Sequence, residues 1–354
     1  MARFTRILSI DGGGIRGIIP AQTLVALENK LHEKTGTENA RIADFFDLIT
    51  GTSTGGILTC IYLCPDPTDR SRPRFSAADA VDLYLERGSQ IFRRSLWHRL
   101  RSGAGFFDEK YPADGIETAL KEYLGELKLS DLLKPCLITA YDIKRRRTFF
   151  FTQHDAKIRP SRNFLLRDVA RATSAAPVFF ECAEVTSDTN VAYPMIDGGV
   201  FANNPALCAY AEARTMGSKP TAKDMVILSL GTGEAKKGYP YREAKGFGAG
   251  EWLLPVLDIM MSAVGEVVDY QLTQMFDAVG KREQYLRIQT KLARENADMD
   301  NVERDNLLEL RELGTLAAED NNEQLDKFVE LLLAEEERQV SVPITPQPRA
   351  TYGA

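Results

Sequence analysis

A chain of 354 residues, 44% hydrophobic and 27% charged, can bury a sizeable core and has the balance of a soluble globular protein. Its net charge of −6 speaks against a nucleic-acid partner, and no run reaches the ~18 apolar residues a membrane span needs. The five cysteines (Cys60, Cys64, Cys136, Cys182, Cys208) form no Cys-x-x-Cys pair and the N-terminus shows no secretory pattern, so reduced thiols in a cytoplasmic protein are expected. The charge is uneven. Residues 291–340 hold 6 Lys and Arg against 15 Asp and Glu, and the first 290 residues come out at +2. The acidity therefore belongs to the C-terminal segment.

In chain order, Phe4 to Ile10 reads as a strand ending in Asp11-Gly12-Gly13-Gly14-Ile15-Arg16-Gly17, followed by a helix from about Ile18 to Lys34. Gly12, Gly14 and Gly17 have dinucleotide-fingerprint spacing, but Glu28 and Glu33 fall inside the helix rather than at the end of a second strand. A phosphate loop fails as well, since no Gly-Lys-Ser/Thr follows. What survives is an anion hole: unsubstituted amides at Gly13 and Gly14 aimed at one oxygen, with Gly12 in the same turn and Arg16 adding charge. One such donor is worth roughly 10²–10³ in rate for acyl transfer.

The next apolar run, Phe45 to Thr50, ends in Gly51-Thr52-Ser53-Thr54-Gly55-Gly56 and a helical segment from Ile57. Strand, tight turn and helix with Gly-x-Ser-x-Gly at the bend hold a serine hydroxyl exposed at a helix N-terminus. A polar loop from Cys64 to Pro73 precedes a helix from about Ala77 to Phe92. Arg93 to Phe107 then interleaves arginines with Trp97 and Phe106, either a solvated surface or a contact for anionic lipid. A helix from Ala113 to Gly125 leads to a strand at Pro135 to Ile143, with a hairpin partner at Arg147 to Thr152. A small-residue helix, Leu165 to Ala176, stops at Pro177.

Val191 to Ile196 reads as strand, broken by Asp197-Gly198-Gly199, and Asn203-Asn204-Pro205 caps the following helix. Met225 to Leu230 is a buried-strand run ending in Gly231-Thr232-Gly233. A long helix spans about Trp252 to Phe276, and Gln284 to Gln289 is a last strand. From Asp300 to Gln339 the pattern is one amphipathic helix, a packing or dimerisation element, and 341–354 is a proline-bearing tail. Strand, glycine turn and helix recur at Ile10, Thr50, Ile196 and Leu230. That alternation predicts a mainly parallel sheet with helices on both faces, and the glycine loop, Ser53 and Asp197 on one rim.

A serine needs a base, and the three histidines (His32, His98, His154) all precede Asp197, so the order serine, acid, histidine is not met. His154 is the one plausible participant, and a structural role suits it better. The economical solution is a two-residue site in which a partly desolvated Asp197 takes the proton of Ser53 directly.

The blocks Asp11–Gly17, Gly51–Gly55 and Asp197–Gly199, in this order on these strand ends, resemble the patatin-like phospholipase family. Ala172-Thr-Ser-Ala-Ala-Pro177 and Ser229-Leu-Gly-Thr-Gly233 match too, so the resemblance covers roughly residues 5–290 as one catalytic domain. It implies a three-layer α/β/α sandwich and a lipid acyl hydrolase with Ser53 as nucleophile, Asp197 as base and Gly12, Gly13, Gly14 and Arg16 as oxyanion hole. Gly17, Gly51, Gly55, Gly198 and Gly199 would be motif glycines. No metal or cofactor is implied, so activity should persist in chelator. The partner would be membrane phospholipid met peripherally at the inner membrane surface. Some bacterial members look like antiphage phospholipases switched on by a cyclic nucleotide, which sets a gated effector, and a homodimer, beside the constitutive enzyme. A vestigial-site interaction module is the third reading, and the intact serine, aspartate and glycine loop speak against it.

Overall fold

The structure, a computed structural model, describes residues 4–91, 114–234, 238–293 and 296–334. Eight strands form one sheet: β1 (Thr5–Ile10), β2 (Leu48–Gly51), β3 (Cys136–Asp142), β4 (Arg147–Thr152), β5 (Ala183–Thr186), β6 (Ala192–Asp197), β7 (Met225–Leu230) and β8 (Tyr285–Ile288). The central order is β6-β3-β2-β1-β7-β8, with β5 beyond β6 and β4 paired to β3. β2, β1, β7 and β8 lie parallel in line, and β3 joins β2 in the same sense. β2, β3 and β7 are buried along almost their whole length because both sheet faces are covered, as parallel strands require.

The main helices are α1 (Ile18–Thr35), α2 (Thr54–Tyr62), α3 (Ala77–Ile91), α4 (Asp114–Leu124), α5 (Leu166–Thr173), α6 (Ala206–Ala213), α7 (Ala249–Ala278), α8 (Arg304–Asp320) and α9 (Asn322–Leu333). Strand parity sorts them into two layers. Leu8, Ile10, Ile49, Ile138 and Leu228 face a large core with α1 to α5, α8 and α9. Ile7, Leu48, Met225, Ile227 and Tyr285 face a smaller one with α6 and α7. The result is the three-layer α/β/α sandwich.

Two expectations change. β6 does not extend the parallel set but runs antiparallel to β3, as do β4 to β3 and β5 to β6. A strand's direction is decided by how its chain returns to the sheet, which local sequence does not carry. The expected single C-terminal helix is two, broken at Asn321, whose side-chain amide donates to the Ala317 carbonyl at 2.8 Å. These helices belong to the main core: Leu310, Phe328 and Leu332 are buried in it, and Arg6 donates to the Leu332 carbonyl. The basic aromatic stretch Arg93–Phe107, His98 and the tail 341–354 lie outside the described residues.

Candidate active site

One edge of β3 pairs with β4 along its length, which leaves the other edge to be shared by β2 and β6. Gly51 ends β2 opposite Ile138, and Asp197 ends β6 opposite Ala140. The two strands run toward each other and stop on either side of Thr139. Antiparallel β6 is therefore what brings Asp197 to the serine turn. The Thr139 hydroxyl bonds that of Thr52 at 2.7 Å, and Gly198 lies against the same threonine side chain.

Ser53 takes φ 54° and ψ −122°, a region L-residues avoid, at the cap of α2. The turn closes so tightly that a Cβ on Gly51 would stand 2.0 Å from the Gly55 carbonyl oxygen, and one on Gly55 2.1 Å from that of Ile10. Only glycine fits either place. The Ser53 N–H donates to the Thr173 hydroxyl at 2.9 Å, which ties the elbow to α5.

Asp197 is buried, and burial pushes its carboxyl up to about 7; a hydrogen bond with the Ser53 side chain and the Gly199 N–H, donating at 2.7 Å, offset part of the rise. The aspartate N–H donates to the Ala175 carbonyl at 2.9 Å. The block Ala172–Pro177 thus holds both members of the pair, serine through Thr173 and aspartate through Ala175.

The glycine loop passes over the same turn. Gly12 packs on Ser53, and its amide donates to the Asn203 carbonyl at 3.1 Å, so Gly12 is not an oxyanion donor. The amides of Gly13 and Gly14 have no acceptor among the described residues, and both glycines line the cavity that holds Ser53 and Asp197. Thr232 fixes the loop by donating to the Gly12 carbonyl at 2.8 Å, and it lies so close that a Cβ on Gly13 would stand 2.1 Å from its Oγ1. Gly17 faces Thr54.

Arg16 is not aimed at the serine. Its Nε donates to the Gly13 carbonyl at 3.3 Å and Nη1 to that of Ala297 at 3.4 Å, and it lines a second, polar cavity behind the loop. Burial lowers its pKa to about 10 against the pull of Asp258 and Asp298, so it stays charged at neutral pH. A cation on the Gly13 carbonyl polarises the peptide whose N–H belongs to Gly14. The arginine acts through the loop.

Behind the loop, Arg287 on β8 grips Asp11 with two hydrogen bonds of 2.6 and 3.0 Å and donates to Ser229 at 2.9 Å. Sequence reasoning assigned no role to Arg287, and no motif block lies beside it in the sequence. Thr173 and Thr232 did stand in recognised blocks, but nothing local says which backbone group each hydroxyl meets.

Neither described histidine reaches the pair. His32 Nε2 meets the Ala40 carbonyl, and His154 Nε2 lies 2.9 Å from Glu212 Oε1. The cavity wall is otherwise mostly apolar, with Ile57, Ile116, Phe179, Val200, Met260 and Met299. No cluster of metal-ligating side chains occurs among the described residues, and no described helix is long and apolar enough to cross a membrane.

The family profile described as patatin-like phospholipase matches residues 8–210. Patatin-like protein 4 of Arabidopsis thaliana is 36% identical over 87% of this chain and 82% of its own length. Patatin-like protein 2 of Oryza sativa subsp. indica is 34% identical over 92% and 86%. A probable inactive patatin-3-Kuras 1 of Solanum tuberosum is 31% identical over 94% and 93%. With its profile, its relatives along nearly the whole chain, and a serine elbow set in a layered α/β fold, the chain belongs to the patatin-like phospholipase family of lipid acyl hydrolases.

Proposed function

We propose that the chain cleaves fatty-acyl esters of glycerophospholipids through a Ser53–Asp197 dyad and an acyl-enzyme. The observation that carries this reading is the meeting of a strained serine elbow with a buried aspartate whose pKa stands at about 7, in a mostly apolar cavity lined by two glycines whose amides have no acceptor among the described residues. A carboxylate near neutrality is a competent base at physiological pH. Asp197 takes the Ser53 hydroxyl proton as Oγ attacks the ester carbonyl, and the oxyanion forms against the Gly13 and Gly14 amides. As the intermediate collapses, Asp197 returns the proton to the leaving glycerol oxygen. Water, activated by the same carboxylate, then releases the fatty acid. The apolar wall suits an acyl chain, whose burial contributes about 0.8 kcal/mol per methylene.

The test is labelling with a fluorescent fluorophosphonate, with and without cyclic dinucleotides. Wild type should label, Ser53→Ala should not, and Asp197→Asn should label slowly. Label that persists in Ser53→Ala refutes the nucleophile. Label that appears only with nucleotide makes the chain a gated effector of the antiphage kind.

A further inference from the structure

α7 has three faces. Val268, Leu272 and Phe276 are buried against the sheet. Asp258, Glu266 and Asp269 turn to the polar cavity behind the glycine loop. A third side carries Leu253, Val256, Ile259, Met260, Val267 and Tyr270, each between 38% and 66% exposed. Placed at 100° per residue, these six fall within one arc of about 120°. α7 alone supplies six of the thirteen large apolar side chains that the described residues expose.

We propose that this face seats on a lipid bilayer and delivers substrate to Ser53, an inference that rests on the function proposed above. Met260 belongs both to the exposed face and to the wall of the catalytic cavity, so this side chain links the apolar face to the cavity that holds the nucleophile. An acyl chain drawn from a membrane needs such a path. The six side chains expose on the order of 500 Å², a patch of functional size but short of the ~800 Å² each partner gives a stable dimer. Trp252, paired with Phe247 at 5.3 Å, and Tyr270 stand 18 positions and ~27 Å apart on the helix. Aromatic residues flanking an aliphatic stretch suit the headgroup boundary. Between Ala249 and Ala278 there is no Lys or Arg, while five Asp and Glu are present. Insertion is thus driven by apolar burial, and the surface fits zwitterionic rather than anionic lipid.

The experiment measures flotation of the full chain carrying Ser53→Ala, which leaves vesicles intact, with phosphatidylcholine vesicles. Adding Leu253→Gln, Val256→Gln and Val267→Gln should lower the bound fraction about ten-fold or more, and phosphatidylserine in the vesicles should not raise wild-type binding. With Ser53 present, the triple variant should hydrolyse a soluble short-chain ester within about two-fold of wild type while losing vesicle hydrolysis. In a Trp97→Phe chain, Trp252 emission should shift to the blue on adding vesicles, a readout that needs no mutation in the face. Unchanged flotation, no shift, a requirement for anionic lipid, or a wild-type dimer that the triple variant dissociates would each overturn the proposal; the last would assign the face to a second copy. A chain that floats but hydrolyses no ester would sink the proposed function, and with it delivery to Ser53, and leave only the seat on the bilayer standing.

Discussion

Asp197→Asn should make the protein more stable as well as less active, and the gain should depend on pH. The wild-type carboxyl has its pKa raised from 3.8 to about 7, chiefly by burial. In the unfolded chain it ionises near pH 4, while in the folded one it holds its proton to near neutrality. Between those values the unfolded state binds fewer protons, so wild-type stability falls as pH rises and levels off above about 7. At 1.36 kcal/mol for each tenfold change in proton affinity, the whole penalty is about 4 kcal/mol, of which about 3 develops between pH 5 and pH 8. Asparagine carries no such penalty. Urea unfolding at both pH values should find the variant gaining about 3 kcal/mol on wild type from pH 5 to pH 8. The pH profile of kcat/KM should show the same group: at pH 5 about 1% of Asp197 is ionised, so wild-type activity should lie about a hundred-fold below its alkaline plateau. An equal stability difference at both pH values, or a kinetic inflection near pH 4, would refute a carboxylate desolvated to neutrality.

Ser53→Gly should abolish activity and unfold at higher denaturant than Ser53→Ala, by about 1 kcal/mol, because glycine relieves the positive φ that alanine keeps. Gly13→Ala places a methyl 2.1 Å from Thr232 Oγ1 and should cost at least about a hundred-fold in kcat with a small change in KM, as loss of an oxyanion donor does; steady-state assay on a short-chain ester reads it. Arg287→Met leaves Asp11 buried without its partner and should destabilise by about 3–5 kcal/mol in urea unfolding, with part recovered in Asp11→Asn/Arg287→Met.

The sequence alone determined most of the elements and the residue types that the proposed chemistry uses. β1, β2, β6 and β7 stand where apolar runs meet glycine turns, and β3, β4 and β8 where an apolar run alone marks them, because a buried strand is largely apolar and a serine elbow must be flanked by residues without side chains. β5 escaped because Ala183–Thr186 is four residues at the sheet edge with alternate side chains exposed, a pattern any surface turn can show. Ser53, Asp197 and the glycine loop were legible as residue types. What tertiary structure decided was direction. β6 turns back antiparallel along the edge of β3 that β2 leaves open, and so delivers Asp197 to Ser53. The Gly12 amide points to Asn203 while Gly13 and Gly14 line the cavity, and Arg16 and Arg287 support the loop from behind. A backbone dipole or guanidinium has the same letter whichever way it points, and only long-range packing chooses among those orientations.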